Sequence, residues 1–280
     1  MITGSGLCEV QKDFSDRVFD VGISEQHAIT FAAGLSLTEM LPFCAIYSTF
    51  LQRGYDQVIH DIAIQKLPVR FLIDRAGFVG SDGPTHHGSF DIAMLMSLPS
   101  FVIMAPSCGL DLVKMINTMV KITDRPSAVR YPRSFIPENN VIITDELLEI
   151  GKGRFVKHGE TLAILSFGTS LADVLEADII LKKNNINATV FDILFAKPID
   201  EDAIIKIASN HSIIVSVEDG GFGGVGSAIA KILNEIKYPG SFRALHHSFD
   251  NFIAHSSILE QKQKSGIDAW GIVDCVLAIK

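Results

Sequence analysis

The sequence has little of what marks a secreted, membrane-embedded or nucleic-acid-binding chain. Its four cysteines, Cys8, Cys44, Cys108 and Cys275, lie far apart, with no CxxC pair and no metal-ligand spacing. That excludes a disulfide scaffold and predicts reduced, mostly buried thiols with no metal site. No apolar run approaches the roughly 18 residues of a membrane helix, and the N-terminus has no basic segment followed by an apolar one. Lys and Arg number 24 against 32 Asp and Glu, for a net charge of -8, and the basic residues are dispersed. Such a surface carries no electrostatic footprint for nucleic acid. The expectations are no membrane, no nucleic acid, and a cytoplasmic (bacterial) or plastid-type organelle setting. There is no low-complexity tract and no internal repeat.

What is present is apolar and periodic. With 280 residues, 48% of them hydrophobic, the chain can bury two sizeable cores. Short apolar runs at 17–22, 43–48, 69–74, 101–107 and 128–132 read as strands separated by helical patterns. A second series follows at 161–167, 188–194, 212–218 and 242–248. Near-continuous apolar strands alternating with helices predict an α/β fold of two doubly wound domains with mainly parallel sheets. The domains are expected at 1–133 and 154–280, joined by a linker over 134–153 that contains Pro137, Glu138, Asn139 and Asn140.

Several polar segments interrupt this pattern. Glu25 follows Ser24 between an apolar run and an alanine-rich helical pattern. A carboxyl there is ordinarily a cap or a favourable charge at the positive end of the helix dipole, and Ser24 already fills the capping role. Walled by Ile23 and Phe50, the same carboxyl could instead shuttle a proton to a ligand ring nitrogen. Asp82-Gly-Pro-Thr-His86-His87-Gly88 is either a surface turn or a ligand loop beyond a parallel strand, and two adjacent imidazoles favour the second. Arg53, Arg75, Arg130 and Arg133 occur at strand ends or helix starts, where forked donors suit phosphate and carboxylate groups. Tyr47 and Phe50 fit core packing or stacking on a ligand ring. Gly221-Phe-Gly-Gly-Val-Gly226 spells GxGxxG, yet tight packing of a helix start explains it better than a dinucleotide does.

Taken in order, DVGISEQHAIT (20–30), YSTFLQR (47–53), DRAGFVGSDGPTHHGSFD (74–91), VRYPR (129–133), LEIGKGR (148–154), KPID (197–200) and SGIDAWGI (265–272) resemble the 1-deoxy-D-xylulose-5-phosphate synthase family of the transketolase superfamily. The resemblance implies a thiamine-diphosphate-dependent transferase. That family condenses pyruvate with glyceraldehyde 3-phosphate, losing carbon dioxide, for non-mevalonate isoprenoid, thiamine and pyridoxal synthesis. By motif position Glu25 is the acid that activates the aminopyrimidine, and Ile23 and Phe50 join it in holding that end of the cofactor. Tyr47, Arg53, Arg75, Asp82, His86 and Arg133 line the substrate pocket, with His86 also catalytic.

The family's N-terminal domain, with its GDG motif and metal-bound diphosphate, has no counterpart in these residues. The diphosphate and magnesium are therefore expected from another chain, in a homodimer or a complex with a diphosphate-binding partner. The segment aligned with Met1 lies inside the family's pyrimidine-binding domain, which predicts an exposed sheet edge. Cys108-Gly109-Leu110 and Ser134 depart from the family's usual residues. Two other readings fit the same domains: the β subunit of a pyruvate dehydrogenase-type E1 component, and a non-catalytic remnant.

Overall fold

The computed structural model describes residues 2–38, 40–136, 143–247 and 250–279. Its strands, in chain order, are β1 (Phe43–Tyr47), β2 (Arg70–Asp74), β3 (Val102–Met104), β4 (Ser127–Arg130), β5 (Arg154–Lys157), β6 (Leu162–Ser166), β7 (Ala188–Asp192), β8 (Phe195–Lys197), β9 (Ile213–Val217) and β10 (Ser241–Leu245). The first half carries the helices α1 (Cys8–Asp13), α2 (Glu25–Ser36), α3 (Ser48–Leu51), α4 (Tyr55–Gln57), α5 (Asp91–Met96) and α6 (Gly109–Lys121). The second half carries α7 (Ser170–Lys183), α8 (Glu201–Asn210), α9 (Val225–Glu235), α10 (Ile258–Ser265) and α11 (Ala269–Ile279).

Two five-stranded sheets result, ordered β1-β2-β4-β3-β8 and β10-β9-β6-β7-β5. Within each, four strands are parallel and one edge strand, β8 or β5, is antiparallel. The central strands are buried on both faces, as β6 and β7 are along their whole length, because helices cover both sides. One apolar cluster runs from Ile29 and Phe71 in the first half to Phe167 and Ile229 in the second, so the two sheets share a continuous core.

The N-terminal run at 17–22 is not a strand. The Gly22 amide donates to the Asp20 carboxylate at 2.9 Å, closing a turn that takes a donor from any ladder. Phe19, which would have faced a core, stays exposed and packs edge-on against Phe31. β1 is consequently the outer strand of the first sheet. The short strands β5 and β8 carry no alternating pattern long enough to be read from sequence. The strand expected over 242–248 ends at Leu245, and its last residue lies outside the described residues, as do Pro137, Glu138, Asn139 and Asn140.

β8 has a larger consequence, since it comes from the second half yet pairs with β3 of the first sheet. No helix among the described residues is long and apolar enough to cross a membrane.

Candidate functional site

Three neighbouring strands bring the polar motifs to one edge. Tyr47 ends β1 directly opposite Asp74 at the end of β2, and Arg130 at the end of β4 lies beside Ile73. Tyr47, Arg75 and Arg133 therefore sit just outside the carboxyl ends of adjacent parallel strands, where open α/β sheets bind ligands.

Glu25 opens α2 and is buried, with 8% of its surface exposed. Ser24 occupies the N-cap position, but its side chain accepts no capping hydrogen bond, contrary to the sequence expectation. The charge nearest Glu25 is Arg53, at 3.9 Å. A Cβ on Gly54 would fall 2.3 Å from Ile29 Cδ1 and 3.3 Å from the Glu25 backbone, so only glycine lets the 52–54 turn lie against α2. That close approach delivers Arg53 to the carboxyl.

A run of rings continues from there. The Arg53 guanidinium lies 5.3 Å from the Phe50 centroid, and Phe50 stacks on Tyr47 at 5.5 Å. His86 meets the edge of Phe50 at 5.4 Å, and Arg75 covers Tyr47 at 3.8 Å. Ile23, expected to wall the carboxyl, is instead 67% exposed.

The histidine-bearing loop is fastened to this run. Thr49 Oγ1, on α3, donates to the Thr85 carbonyl at 3.1 Å, and Thr85 Oγ1 pairs with His86 Nδ1 at 2.9 Å. The two adjacent imidazoles have separate fates. His86 faces the rings, whereas His87 is buried, accepts the Val79 amide at Nδ1, and has its basicity lowered by burial. One imidazole belongs to the site and the other to the interior.

The arginines also divide. Arg133 donates to both Asp82 oxygens at 2.8 Å while staying half exposed. Arg75 is held by Asp74 at 2.7 Å and by the Gly4 carbonyl, with Asp82 4.0 Å away. Burial raises the Asp74 carboxyl and the Arg75 charge opposes that rise; burial also raises the Tyr47 phenol. Arg130 leaves the expected group of phosphate donors. It is buried, with Nε on Asp91 at 2.8 Å, Nη1 on Asp219 at 2.5 Å and Nη2 on the Gly88 carbonyl. Burial works against its charge, but the two carboxylates outweigh this and hold it protonated. It joins the two halves instead of facing a ligand.

The GxGxxG segment is closed from within. Glu218, after β9, accepts from the Val225 and Gly226 amides at the start of α9 and occupies the space an anion would need. A Cβ on Gly226 would meet Ala244 Cβ at 2.7 Å. Burial raises the Glu218 carboxyl to about 7, and the two amides oppose that rise. Among the described residues no group of three or more His, Cys, Asp or Glu side chains could hold a metal ion.

Sequence reasoning missed Asp74, Thr49, Asp91 and Asp219 as supports. Thr49, Asp74 and Asp91 lie inside recognised motifs, so membership of a motif was the available signal. Asp219 had none. Chemically, a buried carboxyl on one side of Arg53 and the Phe50–Tyr47 stack on the other suit a planar heteroaromatic ligand with a protonatable nitrogen, and the half-exposed Arg53 and Arg133 suit anionic groups.

Comparisons with known proteins agree with this fold. Residues 2–138 match the transketolase pyrimidine-binding domain and residues 151–272 match the transketolase C-terminal domain. A solved structure described as a split gene transketolase, an inactive beta4 tetramer, superposes with a TM-score of 0.85 at 28% identity, covering 96% of this chain and 86% of that one. The chain therefore belongs to the transketolase family, as a pyrimidine-binding domain followed by a C-terminal domain.

Proposed function

We infer that the chain is the pyrimidine-binding and C-terminal section of a 1-deoxy-D-xylulose-5-phosphate synthase, condensing pyruvate with glyceraldehyde 3-phosphate alongside a separate diphosphate-binding chain. One observation carries this reading: Glu25, Arg53, Phe50, Tyr47, His86, Arg75, Asp82 and Arg133 form a single unbroken chain of contacts. The relative described as a split gene transketolase supports the division of the enzyme between chains.

Thiamine diphosphate, when bound, supplies the nucleophilic carbon for this chemistry. Glu25 and Phe50 fit its aminopyrimidine end, by a buried carboxyl and an adjacent ring, while magnesium and the diphosphate fall to the partner. Glu25, buried at the start of α2, would hold the proton that the pyrimidine nitrogen takes up. Arg53 and Arg133 hold the phosphate of the aldehyde. For Arg133 this means exchanging its Asp82 contact for the substrate. Arg75, locked on Asp74, fixes Tyr47 from above. His86, at the edge of Phe50, passes a proton to or from the substrate in this reading.

The test is reconstitution. This chain mixed with a chain carrying the GDG-type diphosphate-binding domain, thiamine diphosphate and magnesium should form 1-deoxyxylulose 5-phosphate, while either chain alone forms none. In the mixture Glu25→Gln should abolish hydrogen–deuterium exchange at the thiazolium C2. Arg53→Ala or Arg133→Ala should weaken use of the phosphorylated aldehyde roughly ten- to several-hundred-fold, as for loss of a charge-assisted hydrogen bond, and spare an unphosphorylated one. Product from this chain alone, or undiminished exchange in Glu25→Gln, would overturn the reading. The similarity to a transketolase favours one second reading, ketol transfer from a sugar phosphate. Turnover with a ketose phosphate donor but not with pyruvate would select it.

A further inference from the structure

The loop that carries Asp82 and His86 is held from the other half of the chain. Gln261, in the middle of α10, is fully buried. Its side-chain amide pairs with both backbone groups of Gly80: Oε1 accepts the Gly80 amide at 2.9 Å, and Nε2 donates to the Gly80 carbonyl at 2.9 Å. The second Nε2 proton goes to the Ala254 carbonyl at 3.0 Å. The side chain thus does for Gly80 what a neighbouring strand would do, with both Nε2 protons used and Oε1 engaged.

The helix that presents it is fixed in turn. Ser257 and Glu260 form a reciprocal capping box at the start of α10, and Gly266 in the left-handed conformation ends it. Gly80 begins a 3-10 turn, Gly80–Asp82, whose last residue pairs with Arg133 and approaches Arg75. At the far end of the loop Gly88 is bridged to Gly77 and bound by Arg130, itself clamped to Asp219 of the second half. The loop's own bonds, such as the Gly77–Gly88 bridge, are therefore supplemented from outside, by Gln261 at Gly80 and by Arg130 at Gly88.

We propose that Gln261 is a positioning residue for the substrate loop: through Gly80 it sets the 3-10 turn that aims Asp82 at Arg133 and Arg75, giving the C-terminal domain a part in acceptor recognition without touching the substrate. This deepens the functional reading above and rests on it for the identity of the acceptor, but the latch itself is a property of the chain alone. Loss of Gln261 leaves the buried Gly80 N–H without a partner and its C=O with only the Gly83 amide, 3.3 Å away.

The experiment uses the full chain and the volume-matched variant Gln261→Met. Hydrogen–deuterium exchange should rise at least tenfold in peptides spanning 78–88, while peptides in β6 and β7 exchange as in the parent. In the reconstituted enzyme KM for the phosphorylated aldehyde should rise at least tenfold with kcat changed less than threefold. A helix that merely stabilised the fold would lower kcat through loss of active protein and leave KM alone. Ser257→Ala, which loosens α10 at an exposed cap, should give a smaller rise in the same loop peptides and serves if Gln261→Met does not fold. Unchanged loop exchange in the folded variants would overturn the latch. A raised loop exchange in a reconstituted mixture that makes no product would instead uphold the latch and count against the synthase reading.

Discussion

The turns after β4 and after β9 begin alike and end differently. Each follows a buried parallel strand, and each offers backbone and charge to a possible anion. After β4 the chain leaves Arg133 half exposed against Asp82, a partner at the surface that a ligand can displace. After β9 the same kind of position is closed by the chain's own Glu218, seated on two helix amides and walled by Gly224 and Gly226. Within one α/β architecture, a strand end stays open to a ligand only where the fold leaves its polar groups unfinished. The same contrast separates Arg130 from Arg133, three residues apart: one is completed by Asp91 and Asp219 in the interior, and the other remains available.

The largest effect should come from breaking the finished side of that contrast. Arg130→Met strands two buried carboxylates and should cost about 3–5 kcal/mol in chemical denaturation, enough to disturb the contact between the halves. Arg133→Ala, on the open side, should stay within about 1 kcal/mol of the parent. Equal losses at the two positions would erase the distinction.

Next in size is Glu218→Ala, which leaves the Val225 and Gly226 amides buried without an acceptor and should cost about 2–4 kcal/mol. The cavity it opens should also bind a small anion such as phosphate, raising Tm in phosphate but not in chloride at equal ionic strength. A variant as stable as the parent would mean that the plug contributes nothing.

The smallest effect tests the interior by pH. Burial pushes His247 from 6.5 down to about 3, with Arg130, His87 and His246 acting in the same direction and Asp219 against it. The folded state therefore keeps this ring neutral while the unfolded chain takes up a proton below pH 6.5. Stability from this group is complete above that pH and falls as pH drops toward 3, by at most about 1.4 kcal/mol per unit. His247→Phe keeps the contact with Phe78 and removes the proton. Between pH 7 and pH 5 the parent should lose up to about 2 kcal/mol relative to the variant. Parallel pH curves would show that this ring does not titrate with folding.

Much of the open side was legible in the sequence because its polar residues interrupt apolar strand patterns within short, recognisable segments. Tyr47, Phe50 and Arg53 lie within seven residues of one another, and the loop holding Asp82 and His86 follows β2 directly. The partners of Arg130 and Gly80 were not legible, because they are remote: Arg130 meets Asp219 across 89 positions, and Gln261 meets Gly80 across 181. A single sequence carries no signal for which distant carboxylate completes a buried arginine. For the same reason the sequence alone groups Arg130 with Arg133, and His87 with His86. The 17–22 segment failed differently, since its apolar content fits a strand while the Asp20–Gly22 turn removes the hydrogen bonds a strand would need.

The loan of β8 to the first sheet has a consequence during synthesis. The apolar strand β3, Val102–Met104, lies next to β4 and waits for its outer neighbour until residues 195–197 are made, about 65 residues after β4 is complete. At the roughly 5–20 residues per second of a working ribosome, that edge stays open for about 3 to 13 s. Nascent chains crowded on one message would meet each other through it in that interval, so the yield of soluble protein should depend on translation speed and on chaperones that bind unpaired strands, before any property of the finished molecule comes into play.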